Sequence, residues 1–252
     1  MLCCGSDSAE QVSGRLQLEL GVSFSHETIY QHTLRDCRQR GVLRYCLRFG
    51  GYKHSDSRKA RWRYARATQE LARRASEGAH EHSEIGHWEG DCVLGTRGTS
   101  ARLTIIDRRA RYTRIRHVRK LNVEHVAKAT LEALQPHRRV TKTMTNDNGI
   151  EFQRDETLQN TMGIPIFFCD PASPWQRGSI ENLNGLVRQY VPKGKSLDDL
   201  PDWVPAALEE TLNFRPRQTL GYKTPHEIFF GETMLLTSNP LLRFGFEFSP
   251  PS

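Results

Sequence analysis

The sequence predicts an α/β fold: a mixed five-stranded sheet with helices on both faces, preceded by a partial helix-turn-helix and a basic arm. Three observations carry this. From residue 85 onward, short apolar runs of strand length alternate with segments of helical period. Two shorter helical segments, broken at Gly21, come first. Between them and the strands lies a stretch crowded with arginine.

The elements follow in order. Ser8 and Gln11 have the spacing of a capping box, in which each side chain satisfies a free N–H at a helix start. Val12, Leu16 and Leu20 then recur at helical spacing until Gly21 ends the pattern. A second helix is expected from Ser25, carrying Ile29, Tyr30 and Leu34. Helix, short turn and helix over residues 1–40 outline a helix-turn-helix with HETIYQHT as recognition helix. Such a unit normally needs another helix to close its core, and none precedes Ser8, so a shortened copy is expected. Residues 41–84 read as a basic arm and linker, helical in part around Arg58–Ala75. HWEGDCVLG, ARLTIID and RYTRIRHV are three strand-like runs. Asn122 is placed to cap a helix whose Val123, Val126, Thr130, Leu131 and Leu134 mark one face. TKTMT is a fourth strand, a short helix follows, and IPIFF is a fifth strand. Beyond the turn DPASPWQRG comes a helix with Ile180, Leu183, Val187 and Tyr190 on its apolar stripe, and a last helix covers roughly 205–213. A catalytic domain over 85–232 and a tail over 233–252 complete the division.

Charge is informative because it is unevenly spread. Of the net +7, residues 1–34 contribute −3 and residues 35–74 contribute +10, while 75–252 balance 22 basic against 22 acidic residues. The excess therefore sits in one arm, where Tyr45, Tyr52, Trp62 and Tyr64 are interleaved with Arg44, Arg48, Arg58, Lys59, Arg61 and Arg63. That mixture suits a polyanion such as DNA, and a solvated basic linker fits the composition equally well. No run of about 18 apolar residues could cross a bilayer, and no secretory signal is visible. Six cysteines with no metal or redox spacing predict a reduced, cytoplasmic chain.

Three acids stand where chemistry would put them. Asp91 interrupts an apolar strand, an unfavourable position unless it is paired or metal-bound. Asp147 follows the fourth strand in Asn-Asp-Asn-Gly, which also suits an ordinary turn. Glu181 begins a helix, off its apolar stripe and in line with Asn184 and Arg188. Carboxylate oxygens are the hard ligands that magnesium or manganese prefers, and two such ions can clamp a phosphodiester without any protein nucleophile.

The segments GHWEGDCVLG, TNDNGIEF, FFCDPASPWQRGSIENLNGLVRQYVPKG and LNFRPRQTLGYKTPHEIFF resemble, in order, the motifs of DDE transposases of the insertion-sequence-thirty type. The 33 residues between Asp147 and Glu181 match that family's interval, and SAEQVSGRLQLELGVSFSHETIYQHTLRD is similar to the end of its N-terminal DNA-binding region. The resemblance implies a ribonuclease H-like fold with Asp91, Asp147 and Glu181 as catalytic triad and ligands of two divalent cations, Mg2+ or Mn2+. It implies cleavage and strand transfer at element ends by a bacterial, nucleoid-associated protein working as a homo-oligomer on DNA. Arg154-Asp155-Glu156 replaces a region where the family commonly has His, and Ile180 stands where a polar residue is usual, yet all three acids are intact.

Other residues carry less. Arg177, Arg188, Lys193 and Lys195 are candidate phosphate contacts, as solvated side chains would also be. Trp175 reads as a packing anchor, and His80, His82 and His87 lack the cysteine partners of a zinc site. Two rivals remain: a nuclease that cuts without joining, and a truncated non-catalytic DNA-binding derivative that inhibits an intact transposase.

Overall fold

A computed structural model describes residues 7–48, 83–94, 100–147, 149–152, 156–169, 178–191 and 201–233. In chain order its elements are α1 (Ala9–Leu20), α2 (His26–Arg38), β1 (His87–Leu94), β2 (Ala101–Asp107), β3 (Thr113–Val118), α3 (Val123–Leu134), β4 (Thr143–Asn146), α4 (Glu156–Met162), β5 (Ile166–Phe168), α5 (Gly178–Val187), α6 (Val204–Asn213) and α7 (Pro225–Phe230). They fall into two compact units, Gly78–Asn213 on one side and Met1–Glu77 with Phe214–Ser252 on the other.

In the first of these the strands lie in the order β3-β2-β1-β4-β5. β2 runs antiparallel to both neighbours, while β4 and β5 run parallel to β1 and to each other. This is the mixed, ribonuclease H-like sheet that the sequence led us to expect. Every residue of β2 is buried, so this strand is covered on both faces. On one face Ile106 and Ile115 pack with Ile180, Leu183 and Val187 of α5 and with Leu208 and Leu212 of α6. Alternation turns Leu103 and Ile105 to the opposite face, where α3 lies across β2 and β3. Asn122 caps α3 as expected, accepting from the His125 N–H at 2.9 Å.

The exposed edge of β3 is closed by side chains of α6. Asn213 accepts from the Thr113 N–H at 2.7 Å and donates to its carbonyl at 2.9 Å. Glu209 accepts from the Ile115 N–H at 2.5 Å. Two residues one helical turn apart thus take the place of a further strand and satisfy backbone groups that would invite edge pairing.

The other unit builds α1 and α2 with the expected caps. Ser8 and Gln11 form the reciprocal capping box, Gly21 closes α1 at φ 67°, and Ser25 caps α2. Arg15 is buried on α1 and forms a two-pronged pair with Glu227 of α7, at 2.6 and 2.7 Å. Gln11 donates to the Pro216 carbonyl at 2.7 Å, and His226 stacks on Phe214 and meets Phe230 at a tilt. Residues 214–230, which the sequence reading kept within a catalytic domain running to 232, therefore pack on α1. A packing partner for α1 thus comes from the far end of the chain. The expected arm is described only as far as Arg48; its residues 49–82 lie outside the described residues.

Candidate active site

The parallel pairing of β1 with β4 brings the first two acids level. Gly90 faces Asn146 across the two strands, so Asp91 on β1 and Asp147, one residue past the end of β4, come next along the two segments. At Gly90 a Cβ would stand 2.5 Å from Oδ1 of Asn146 and 2.6 Å from Cε of Met144, so a side chain there would have to displace both. Both carboxylates are half-buried.

Asp91 is held from above. Its Oδ2 accepts from Nδ2 of Asn184 at 2.6 Å, and Oδ1 of Asn184 accepts from Oγ1 of Thr104 at 3.0 Å. Thr104 is the partner of Asp91 in the β1–β2 ladder, so strand, strand and helix are tied at one level. One level below, Glu89 lies on the same face of β1, 2% exposed. Its Oε1 pairs with Nε of Arg108 at 2.9 Å, and its Oε2 accepts from the Ile180 N–H at 3.1 Å. Glu89 therefore caps the first turn of α5 in the position of an N-terminal carboxylate. Arg111 reinforces the cap through Oγ of Ser179. Glu181 follows Ile180 directly, exposed on that first turn.

Asp147 folds into its own turn, accepting from the Gly149 N–H at 3.1 Å. The short 3-10 turn Ile150–Phe152 comes next, with Phe152 buried. Burial pushes the Cys92 thiol up, and the negative charges of Glu151, Asp91 and Asp147 push it further. Carboxylates are the hard oxygen ligands that a divalent cation prefers. The fit to magnesium or manganese rests on Asp91 and Asp147; among the described residues no three His, Cys, Asp or Glu side chains are already gathered around a common point.

Arg188 is exposed just past the end of α5, its N–H bonded to the Asn184 carbonyl. Arg44 lies in the other unit, over the Tyr45 ring at 4.5 Å and 3.6 Å from Sγ of Cys37. Arg48 ties back through its N–H to the Asp7 carbonyl. Arg58, Lys59, Arg61, Arg63, Arg177, Lys193 and Lys195, together with Trp175, His80 and His82, lie outside the described residues. His87 sits on β1 with Nδ1 2.9 Å from Oγ1 of Thr143. Glu89, Glu151 and Asn184 were missed as site residues. Their signals were present: Glu89 shares strand parity with Asp91, Asn184 stands one helical turn from Glu181, and Glu151 follows Asp147 by four residues.

The chain is 37% identical over 224 residues to the transposase for insertion sequence element IS4351 of Bacteroides fragilis, covering 88% of this chain and 68% of that protein. It belongs to the insertion-sequence transposases of the thirty type. Transposase InsI for insertion sequence element IS30C of Escherichia coli is also 37% identical, over 235 residues, and the chain spans 60% of its length. No family model matches. Among solved structures, the catalytic core domain of BIV integrase aligns over 58% of this chain and 94% of its own, at 19% identity and a TM-score of 0.45. A chain from the simian T-cell lymphotropic virus intasome aligns over 60% of this chain and 56% of its own, at 18% identity and a TM-score of 0.49.

Proposed function

We propose that this transposase-family chain cleaves DNA at the ends of an insertion element and joins the freed 3′ hydroxyl to a target phosphodiester, using Asp91, Asp147 and Glu181. The observation that carries the reading is the pairing of Gly90 with Asn146, which sets Asp91 on β1 level with Asp147 just past the end of β4, with Asn184 of the Glu181 helix bonded to Asp91. Two divalent cations held by these acids would neutralise charge on the phosphodiester and make the attacking oxygen reactive. The chain's own contribution is rigidity. Asn184 keeps one Asp91 oxygen fixed, Glu89 fixes the turn that presents Glu181, and the turn at Gly149 orients Asp147. The chain would act on DNA as an oligomer, with Arg188 and the basic arm on phosphates.

The test is incubation of the full chain with labelled duplexes carrying candidate element ends, intact and pre-cut, in magnesium, manganese, calcium or EDTA. Nicking at the end and joining of pre-cut ends are expected in magnesium and manganese, with binding but no turnover in calcium, whose longer bonds misplace the attacking oxygen. Cutting without joining would leave a nuclease. Robust cleavage in EDTA would remove the metal-dependent mechanism.

A further inference from the structure

The path of α5 over the sheet brings a further group into register with the site. Ile180 meets Glu89, and Asn184 meets Asp91 and Thr104. Four residues on the helix, about 6 Å, match two on the strand, about 7 Å. The next level therefore pairs Arg188 with the residues beyond Asp91 and Thr104, which are Val93 on β1 and Arg102 on β2. The charge of Arg188 does act on Arg102, whose pKa is brought down to about 10, first by burial and then by Arg188.

Arg102 is 6% exposed and has neither a hydrogen bond nor an ion pair among the described residues. Asp202 lines the same pocket, along with His117, Ile115 and Leu208, but bonds Arg119 at 3.2 Å instead. A guanidinium in such a position, beside a second one, is costly unless an anion joins them. Its fork of donors matches two oxygens of one phosphate. We propose that Arg102 and Arg188 form a subsite for the DNA phosphodiester next to the one being cut, one level along the sheet from Asp91. This rests on the DNA-cutting reading above and extends it to a residue on β2.

The experiment compares the full-length wild type with Arg102→Met, a substitution of similar volume, by salt titration of duplex binding in calcium and by thermal unfolding. The variant should bind about tenfold more weakly at fixed salt, and its slope of log affinity against log salt should be shallower by about 0.9. Its midpoint of unfolding should stay level or rise, because an unpaired buried charge has gone. Duplexes with a single uncharged methylphosphonate linkage beside the cut should lose affinity for the wild type and not for Arg102→Met. An unchanged salt slope overturns the subsite, as does an equal methylphosphonate penalty in both proteins. If the variant does not fold, the wild type alone decides: no penalty at either flanking linkage rejects the proposal. Wild-type protein that binds with these signatures yet never cuts would instead overturn the catalytic reading and leave the phosphate site standing.

Discussion

Replacing Glu89 tests how the Glu181 helix is held. Its side chain is 3% exposed, that of Arg108 is 6% exposed, and the two stand 2.9 Å apart. Glu89→Ala would leave the Arg108 charge buried without its carboxylate and the Ile180 N–H without its acceptor. Removing one partner of a buried pair costs about 3–5 kcal/mol, and an orphaned buried N–H adds about 1 kcal/mol or more. Against a total stability of roughly 5–15 kcal/mol, this unit should unfold at least about 10 °C lower. Glu89→Gln keeps an acceptor and loses only the charge, so it should fall between. The double variant Glu89→Leu with Arg108→Met removes both charges and should recover most of the loss. Thermal and urea unfolding measure these differences. A functional readout accompanies them: folded Glu89→Gln should need several-fold more magnesium for half-maximal cleavage, since the turn bearing Glu181 is looser. If Glu89→Ala unfolds within about 1 kcal/mol of wild type, the pair does not anchor α5, and the account of Glu181 positioning is wrong.

Three further outcomes are expected. Asp147→Asn should keep the turn at Gly149, since an amide oxygen can accept the same bond, and should keep DNA affinity while losing cleavage; near wild-type cleavage in magnesium would remove Asp147 from the ligand set. Deleting residues 1–84 should flatten the salt dependence of DNA binding, because the +10 of residues 35–74 is lost; an unchanged slope would move the phosphate contacts to the sheet-bearing unit. His137 is held down to about 4, chiefly by burial and then by Arg114 and Arg116. Below its unfolded pKa of about 6.5 the unfolded chain gains a proton that the folded one refuses, so stability should be lost as pH falls from about 6.5 to about 4, by about 2 kcal/mol. His137→Gln should lack that component in urea unfolding across the range, and identical pH profiles would exclude it.

Much of this protein is legible without coordinates because the governing interactions are local. A capping box at Ser8 and Gln11, the left-handed cap at Gly21, and the caps at Ser25 and Asn122 each depend on residues within one turn. The strands declare themselves by apolar period. Asp91, Asp147 and Glu181 were picked out as acids in positions that solubility does not explain. Which strands are neighbours was another matter, since pairing depends on residues far apart in the chain. Only the register of Gly90 with Asn146 brings the end of β4, with Asp147 after it, level with Asp91. Asn184 looked like one more polar residue in line with Glu181, yet it is buried because Thr104 and Asp91 both bond it from the sheet. Glu89 reads as a surface acid until Arg108 and the Ile180 N–H close around it. Likewise, nothing in NFRPRQTLGYKTPHEIFF indicates that Glu227 will meet Arg15, 212 residues earlier. Local sequence determined what each segment could become; long-range pairing of buried charges and backbone groups decided what each would touch.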